Sequence, residues 1–535
     1  MKQTMKQHSF TSQLKSLAVV FGIALAFASC ANEDVAQNPT NPNEDNDKNL
    51  TTFVAGDETK TRTSMDYNSG NFYWEAGDYI YVKDDDGVMR MSTNAPTQKV
   101  AAFKYKVPGK FTASSSYKVY YLGKNSYGSQ VTISTAQTQT KPDNTEHFGT
   151  AGDYGTATAT KVTGKNQFAF ELEHQPAYLV FQPYTSNTIL HNCYLTKIEV
   201  SSDNDIAETY TVNTTTGALD ASTVTNGNKI VLTTKDPTWG SSNYYGFPLT
   251  NNSASVTTNG AYMVIKPGTH TLKVRYWVKD VATNVEGTIT KTLPATAYAS
   301  NTYYDMTANL NVRNYDGDKY YMWDAQEQYW KGHEWNLGGS QPTLTTQSAS
   351  SDYPQNSSDP NNRYYNENYP GYGISNPAIH SCKDLPNANE LSWYAMYGDP
   401  RWDADELWTA MGHLYKGGMW FKKKSVLQAE HHYDTEKSAD GTTDMRTTYK
   451  YYNNYNSSIY SGLPSAADAG NYFYLPALGR YVNGQLYDVG NYGWYWSSSA
   501  HSLISGYAYC LNFDNNYASA GITYCNIGLR AEALQ

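Results

Sequence analysis

The sequence predicts a mostly β protein, in which two β-sandwich modules are followed by an α+β segment. Residues 51–313 carry runs of five to eight residues that alternate apolar and polar side chains, divided by Gly, Asn and Asp turns. No stretch of this part keeps a helical period for three turns. From Asn314 onward two helical patterns appear, and nine of the 12 Trp and more than half of the 49 Tyr lie there. These observations together predict the fold class.

The N-terminal half is predicted to form two sandwiches. Short antiparallel strands at this spacing are typical of that architecture, and a boundary near residues 160–175 gives modules at residues 51–170 and 171–313. Three local arrangements of strands are expected. They are a strand, turn and strand at residues 71–82, a pair formed by residues 168–172 and 178–182 around His174, and a hairpin at residues 263–278 turned at Pro267–Gly268.

Two helices are predicted in residues 314–535. The first, at residues 384–396, has Asn387 as its N-cap and Glu390 three residues later, which is a capping-box pattern. The second, at residues 403–415, places five large apolar side chains on one helical face: Leu407, Trp408, Met411, Leu414 and Tyr415. Gly417 and Gly418 are expected to end it. Short strands are expected at residues 491–499, 508–513 and 526–530.

Composition limits the partners of the chain. A net charge of −10 argues against nucleic acid and against an anionic lipid surface. Only 17% of the residues are charged, so that Asn, Ser, Thr, Gly and Tyr must form much of the surface. Such a surface is common in secreted β proteins and in adhesive proteins, where Tyr offers rigid contact area at low entropic cost. Composition does not separate these two uses.

The first thirty residues carry a targeting signal. Lys2, Lys6 and Lys15 precede an apolar stretch at residues 17–27 that is too short for a permanent membrane span. Small residues then lead to Cys30. This pattern resembles a bacterial lipoprotein signal, and the resemblance implies a signal peptide at residues 1–29, cleavage before Cys30 and a diacylglycerol on its sulfur. The alternative is an ordinary signal peptide with an unrelated cysteine at its end.

The residues behind Cys30 form a polar spacer. Glu33 and Asp34 resemble the surface-export signal of Bacteroidetes lipoproteins, which implies display on the outer membrane; the alternative is simply the start of a solvated tether. Residues 30–50 are predicted to be a disordered tether because almost nothing in them can be buried. No later stretch is long and apolar enough for a transmembrane helix, so that lipid is the expected membrane attachment.

The remaining cysteines and the histidines indicate no metal site. Cys510 and Cys525 are candidates for a disulfide in an exported protein; the alternative is that they and Cys382 are free or buried thiols. No spacing of Cys or His points to zinc, and the adjacent pair His431–His432 is assigned to the surface. We therefore expect no metal and no cofactor.

Six short segments of the N-terminal half carry a family resemblance: Thr61-Arg-Thr-Ser64, Trp74-Glu-Ala-Gly-Asp78, Phe170-Glu-Leu-Glu-His174, Leu179-Val-Phe181, Lys266-Pro-Gly-Thr269 and the closing strand at residues 303–312. In these segments the chain resembles the fimbrillin-like family of Bacteroidetes surface proteins. The resemblance implies two transthyretin-like β-sandwiches. It also implies a pilus subunit, a pilus accessory protein, or a surface lipoprotein built from the same parts.

The same resemblance raises the question of proteolytic processing. Pilus subunits of that family mature by cleavage after an Arg, which frees a groove for a donor strand from a neighbouring subunit. Arg62 is the candidate in this chain. The alternative is that Thr61–Ser64 is only the opening strand of the module.

The last part of the chain carries a second family resemblance, in the segments Leu385-Pro386, Trp393, Tyr474-Leu-Pro-Ala-Leu-Gly479, Gly490, Trp496-Ser-Ser-Ser499, Tyr509-Cys-Leu-Asn-Phe513 and Gly528-Leu-Arg530. In these it resembles the Fibrobacter succinogenes major paralogous domain, a relative of the C-type-lectin-like and formylglycine-generating-enzyme folds. The resemblance implies an α+β, C-type-lectin-like domain at residues 314–535.

The residues needed for the activities of those relatives are missing. Cys510 and Cys525 match no reactive-cysteine motif, and Trp496 is followed by serines where calcium-dependent lectins have Asn and Asp. No nucleophile elbow, zinc motif or phosphate loop is present, and no carboxylate pair can be nominated. The sequence therefore predicts a protein that is not an enzyme.

Ligand contact is predicted for a few aromatic and polar residues near the end of the chain. A sugar could stack on Tyr492, Tyr495 or Tyr517. Asp514 and Asn515 could offer oxygen atoms to a ligand or a cation, although residues 514–516 also fit a hairpin turn. Trp494 and Trp496 are expected on one strand face, in the core.

These parts predict a surface-exposed lipoprotein of the outer membrane, with a β stalk and a C-terminal recognition domain. Its function would be adhesion or recognition, as a fimbrial anchor, accessory or tip subunit. Expected partners are the outer membrane through lipid, other pilus subunits by donor-strand exchange, and a glycan or surface protein of a host or bacterium. The alternative is glycan capture for polysaccharide uptake.

Overall fold

The computed structural model of the chain describes residues 4–9, 49–56, 64–67, 72–213, 215–346, 348–367 and 378–535. Within these residues the protein is mostly β, as predicted, with short helices between many strands. Cys30, Glu33, Asp34 and Arg62 lie outside the described residues, as does the apolar stretch 17–27. In the described ranges no helix combines the length and the apolar character needed to cross a membrane.

The first module is built on one large mixed sheet. Its strands are joined in the order β6-β5-β8-β12-β13-β2-β7, with β14 paired to β12. Strand β2 lies inside this sheet, parallel to β13 and antiparallel to β7. The strands of this region are β2 (Leu50–Ala55), β3 (Ser64–Met65), β4 (Phe72–Tyr73), β5 (Tyr81–Lys83), β6 (Met89–Met91), β7 (Phe103–Pro108), β8 (Ser116–Tyr121), β9 (Ser126–Tyr127), β10 (Gln130–Thr132), β11 (Ala136–Thr138), β12 (Gly155–Lys161), β13 (Gln167–Phe170) and β14 (Glu173–His174).

The segment between β8 and β12 packs with the second module. Strand β10 pairs with a strand at Glu208–Val212, and β11 runs parallel to a strand at Lys229–Thr233. The helix Phe148–Ala151 joins the same second core. This segment precedes the predicted boundary at residues 160–175, so that the chain crosses between the two modules more than once.

The second module contains two principal sheets. One has the order β1-β24-β15-β21, and the other begins β11-β19-β16-β22-β23. Its strands are β15 (Ala177–Tyr184), β16 (Cys193–Ser202), β17 (Glu208–Val212), β18 (Leu219–Thr223), β19 (Lys229–Thr233), β20 (Phe247–Pro248), β21 (Ala261–Ile265), β22 (Gly268–Asp280), β23 (Glu286–Tyr298) and β24 (Thr302–Asn309). Short helical turns occur at Leu190–Asn192 and Val256–Asn259.

Strand β1 (Thr4–Ser9) is antiparallel to β24 at the edge of the first of these sheets. It lies within the predicted signal peptide. Removal of residues 1–29 would leave β24 as the edge strand, with one row of its backbone groups uncovered.

Two local strand predictions are wrong in their pairing. β13 and β15 do not pair with each other: β13 pairs with β12 and β2, whereas β15 pairs with β24 and β21. The Pro267–Gly268 turn separates β21 from β22, which belong to different sheets. In both cases the turn passes the chain to another sheet, because the apolar faces of both strands need partners from distant segments.

The predicted strand, turn and strand at residues 71–82 is found as β4 and β5 with a turn between them. β4 pairs with β3, while β5 pairs with β6 and β8.

The C-terminal part contains a helix, a hairpin and a six-stranded sheet in the order β25-β35-β32-β33-β34-β28. Its strands are β25 (Tyr320–Tyr321), β26 (Arg401–Ala410), β27 (His413–Lys422), β28 (Tyr452–Asn454), β29 (Tyr472–Pro476), β30 (Arg480–Val482), β31 (Gln485–Tyr487), β32 (Gly493–Ala500), β33 (Tyr507–Phe513), β34 (Ala518–Tyr524) and β35 (Leu529–Arg530). A helix spans Lys424–Ala429, and short 3₁₀ turns occur at Gly317–Lys319, Trp335–Leu337, Ser457–Tyr460 and Ala469–Asn471.

The first predicted helix is confirmed at Ala388–Tyr397. Asn387 accepts the backbone N–H of Glu390, and the Glu390 carboxylate accepts the backbone N–H of Asn387 at 2.8 Å. Two otherwise unpaired donors at the helix start are thereby satisfied.

The second predicted helix is wrong, because residues 403–415 form most of the β26–β27 hairpin. The chain reverses at Met411 and Gly412, which both have positive φ, at 48° and 76°. Trp408 and Tyr415, assigned to one helical face, are instead cross-strand neighbours. Gly417 and Gly418 continue β27, which pairs with β29. Pairing with distant strands outweighs the local helical spacing.

The second module and the C-terminal part share one continuous sheet. β23 meets β26 in parallel at Thr288 and Glu406, which extends the sheet from β11 through β29. Arg275 of β22 also forms a buried ion pair with Asp403 of β26. The second module therefore holds the β26–β27 hairpin in place.

Candidate ligand-binding groove

Three segments of the C-terminal part enclose an open groove of about 520 Å³, called here the aromatic groove. The β26–β27 hairpin gives one wall, the turn before β32 gives the second, and the turn between β33 and β34 gives the third. Its aromatic and polar lining residues are Trp402, Tyr415, Lys416, Asn491, Tyr492, Asp514, Asn515 and Asn516. The structure thus brings together three of the predicted ligand contacts, Tyr492, Asp514 and Asn515.

Asp514 organises the third wall. It is only 5% exposed, and its carboxylate accepts the backbone N–H groups of Asn516 at 2.7 Å and Tyr517 at 3.0 Å. The turn interpretation of residues 514–516 is therefore confirmed. The Tyr492 side chain faces the same carboxylate, and this interaction, with desolvation, raises the pKa of Tyr492. Asp514 thus holds its own turn and lies beside Tyr492 in the groove.

Two glycines let the first and second walls approach each other. Gly490 has φ +79°, and a Cβ there would lie 2.6 Å from the Tyr415 ring. Gly417 has φ +99°, and a Cβ there would lie 2.5 Å from the Gly490 carbonyl oxygen. A larger residue at either position would be strained and would push the walls apart. Tyr415 rests against the backbone of the second wall for this reason.

The exposed groups of the groove suit a polar ligand with some apolar faces. Asn491, Asn515 and Asn516 are exposed, and their carboxamides can donate and accept hydrogen bonds. Asn516 Nδ2 already donates to Asn515 Oδ1 at 2.9 Å, which leaves the Asn515 amide N–H groups for a ligand. Trp402 and Tyr415 are half-buried, so that their rings are held in place with part of each surface open. Aromatic walls with a few convergent polar groups are typical of small-molecule sites.

Tyr495 is wrongly predicted as a ligand contact. It is 1% exposed, and its hydroxyl donates to the carbonyl oxygen of Pro476 at 2.7 Å. Strand β32 lies inside its sheet with both faces covered: Tyr495 packs in the core with Phe513, and Trp494 and Trp496 pack together in another core, as predicted for these two. Tyr517 is half-buried and lies directly behind the groove turn.

The cysteines take no part in the groove. Cys510 and Cys525 are both buried thiols that are not bonded to each other, which agrees with the second of the two alternatives for this pair. Burial raises the pKa of Cys382 and of Cys510 to about 12, so that neither is a thiolate near neutral pH.

In the part of the chain that the structure describes, no group of three or more His, Cys, Asp or Glu side chains is placed to hold an ion. Asp514 uses Oδ1 for its own turn.

Three groove residues were not predicted from the sequence: Trp402, Tyr415 and Asn491. Trp402 and Tyr415 lie on the hairpin that the spacing assigned to a helix, and their convergence with the β33–β34 turn depends on contacts far apart in the chain. Asn491 directly precedes the predicted contact Tyr492, so that its place beside this residue could have indicated a second ligand contact.

Comparisons with known proteins give a set of weak structural similarities. No family model matches the chain, and no curated protein matches it. A candidate cell adhesion protein from Bacteroides ovatus is 14% identical over 49% of this chain and 93% of its own, with a TM-score of 0.30. The fimbrial anchor protein Mfa2 from Porphyromonas gingivalis is 14% identical over 46% of this chain and 83% of its own, with a TM-score of 0.21.

A fimbrial protein from Bacteroides ovatus aligns over a larger share of the chain. It covers 90% of this chain and 98% of its own at 11% identity, with a TM-score of 0.23. These scores are too low to assign a role to this chain.

Proposed function

We propose that this chain is a cell-surface lipoprotein of the outer membrane that binds a glycan in its aromatic groove, and that it serves adhesion or recognition. The N-terminal sequence supports lipid attachment at Cys30, with Glu33 and Asp34 as the surface-export signal. The groove lies at the other end of the sequence, in residues 402–516. The order of the parts favours an anchored base and a displayed C-terminal part.

The observation that carries the proposal is the convergence of aromatic rings and exposed carboxamides in one groove. Trp402 and Tyr415 offer ring surface for the apolar face of a sugar, and Asn491 and Asn515 offer hydrogen bonds for its hydroxyl groups. The bonds from the backbone N–H groups of Asn516 and Tyr517 to Asp514 hold the third wall in place before a ligand arrives.

The test uses cells that display the full chain on a glycan array. Trp402→Ala and Asn515→Ala should each lower binding of a retained glycan about tenfold, because each removes a ring face or a hydrogen bond. Trp239→Ala is the matched control, since Trp239 is 80% exposed on a loop of the second module. Asn515 is exposed, so that its variant stays informative if Trp402→Ala unfolds.

Two outcomes contradict the proposal. One is that no plant, host or microbial glycan is retained. The other is that Trp239→Ala lowers binding as much as the groove variants do. Protease treatment of whole cells tests display separately, since a chain on the outer surface is degraded and a periplasmic chain is not.

A second function, as a polymerising pilus subunit, is favoured by the position of β2. This strand lies between β13 and β7 with Phe53 and Ala55 fully buried. A cut after Arg62 would separate β2 from the rest of the chain, and its loss would open a strand-shaped groove for a neighbouring subunit. N-terminal sequencing of the protein from cells decides: Thr63 as the first residue supports the subunit, and lipidated Cys30 contradicts it.

A further inference from the structure

A second open groove of about 610 Å³ lies beside the helix Ala388–Tyr397. Tyr397 is 38% exposed, and its ring stacks on His432 with centroids 4.2 Å apart. Asp399, Asn454 and Asn456 line the same groove. It therefore repeats the character of the aromatic groove: fixed rings beside carboxylate and carboxamide groups.

The loop that carries the two Asn residues is held firmly. Asn454 is 6% exposed; its Nδ2 donates to the Ala395 carbonyl at 2.8 Å, and its Oδ1 accepts the backbone N–H of Asn456 at 2.8 Å. These bonds tie the end of β28 to the helix. Tyr455, between the two Asn residues, is left 66% exposed.

Tyr455 connects the second groove to the aromatic groove. β28 and β34 are antiparallel with Asn454 opposite Ala518, so that the next pair along the register is Tyr455 and Tyr517. Their ring centroids are 6.0 Å apart. Tyr517 directly follows Asn516 of the aromatic groove. Burial, then the nearby Asp514 and Tyr492, raise the pKa of Tyr517 to about 12.

We propose that the two grooves and the Tyr455–Tyr517 pair between them form one extended site for a linear oligosaccharide. The inference rests on the proposed glycan binding and defines its ligand class: a chain of several sugars rather than a terminal sugar. Each groove alone is within the size range of a complete small-ligand pocket. Tyr455, which is 66% exposed and packs beside the half-buried Tyr517, offers a ring surface on which a sugar of the same chain can stack.

The charges of the second groove agree with a neutral chain. Lys422 forms a salt bridge with Glu430 at 2.7 Å, so that the Glu430 carboxylate balances the charge of its ammonium group. Asp399 accepts the Tyr472 hydroxyl at 2.6 Å and pairs with Arg401 at 3.0 Å. Without an unpaired cation in this lining, the second groove has little to offer a sulfated or uronic-acid chain.

The test is calorimetric titration of the full chain with size ladders of malto-, cello-, xylo-, manno- and chito-oligosaccharides, from disaccharide to hexasaccharide. We expect wild-type affinity to rise with length. Tyr397→Ala and Tyr455→Ala should each lower hexasaccharide affinity about tenfold and leave disaccharide affinity unchanged. Trp402→Ala should lower the affinity for both. Tyr524→Ala is the control, because Tyr524 is 55% exposed at the far end of β34.

The outcomes separate this inference from the proposed function. If a ladder binds through Trp402 but Tyr397→Ala and Tyr455→Ala do not change the dependence on length, the extended site is wrong and glycan binding stands. If neither the ladders nor the arrayed glycans bind the wild-type protein, both are wrong. Thermal unfolding of each variant excludes loss of the fold as the cause.

Discussion

Arg275 of the second module and Asp403 of the C-terminal part form an ion pair at 2.9 Å, with both side chains less than a tenth exposed. Asp403 also accepts the indole N–H of Trp420 at 3.0 Å and the backbone N–H of Asp405 at 3.0 Å. The pair lies where β23 meets β26. It therefore holds the hairpin that carries Trp402 and Tyr415 against the second module.

Arg275→Met should destabilise the protein strongly. Breaking a buried pair leaves an uncompensated charge, which typically costs about 3–5 kcal/mol. Arg401→Met is the matched control, because the Arg401–Asp399 pair is about a quarter exposed and should cost only about 0–1 kcal/mol. Denaturant unfolding measures both. Equal losses for the two variants would show that the buried pair does not hold the modules together.

Glu406 should make the stability of this junction depend on pH. Burial, and then the charge of Asp403, raise the pKa of Glu406 from an ordinary 4.5 to about 7, against the opposing effect of Arg275. Between pH 4.5 and about pH 7 Glu406 keeps its proton in the native state but has lost it in the unfolded chain. The free energy of unfolding therefore falls as pH rises through this range. The change amounts to roughly 3 kcal/mol at most and is complete above about pH 7.

Glu406→Gln tests this dependence with the hydrogen-bonding groups largely retained. Glu406 accepts the Thr290 backbone N–H at 2.8 Å and the Thr288 hydroxyl at 3.0 Å, and an amide can stay among these partners. We expect the variant to gain stability over the wild type as pH rises from 5 to 7.5. Asp403, Arg275 and Lys291 face Glu406 and are unchanged by the substitution. A difference that does not vary with pH would contradict the assignment.

The elements that were predicted correctly depend on residues close together in the sequence. The capping box at Asn387 and Glu390 was predicted because its partners are three residues apart. The Asp514 turn was predicted for the same reason. The β26–β27 hairpin was not, because Leu407, Trp408, Met411 and Leu414 also fit a helical period. Only the partners in β23 and β29 decide between the two, and these lie far away in the chain.

The ligand contacts were predicted correctly only where neighbouring strands place the residues together. Tyr492 and Asp514 are 22 residues apart but flank adjacent paired strands, so that the order of strands already placed them together. Tyr495 lies only three residues from Tyr492, yet it faces a core because the helix Ala388–Tyr397 covers that side of β32. The position of this helix could not be read from alternation along one strand.

Gly490→Ala should damage the groove through sterics. The added methyl group would lie 2.6 Å from the Tyr415 ring at a φ of +79°, so that Tyr415 must move and the first wall shifts. We expect a loss of about 1–3 kcal/mol in stability together with loss of glycan binding. Gly441→Ala is a close control, because Gly441 has φ +72° and nothing within 4 Å.

The control separates two causes. Gly441→Ala carries the backbone strain alone, and it should keep full glycan binding. If both variants lose stability and binding to the same extent, the contact between Gly490 and Tyr415 does not shape the groove. Unfolding curves and array binding on the same preparations give both readouts.

Phe53 offers a test of whether β2 leaves the protein after a cut at Arg62. In the uncut chain the Phe53 ring packs against Phe111 and Phe168 with centroids 5.1 and 5.2 Å away. Phe53→Ala should therefore cost about 3–5 kcal/mol. Val54→Ala, at a half-buried neighbouring position, should cost less and serves as the control. In a chain from cells that begins at Thr63, neither substitution can matter once β2 has been replaced by a strand from another subunit. A cut chain that keeps its own β2 bound would still lose stability with Phe53→Ala. That result would contradict strand exchange, because β2 would still occupy the groove that a neighbouring strand needs.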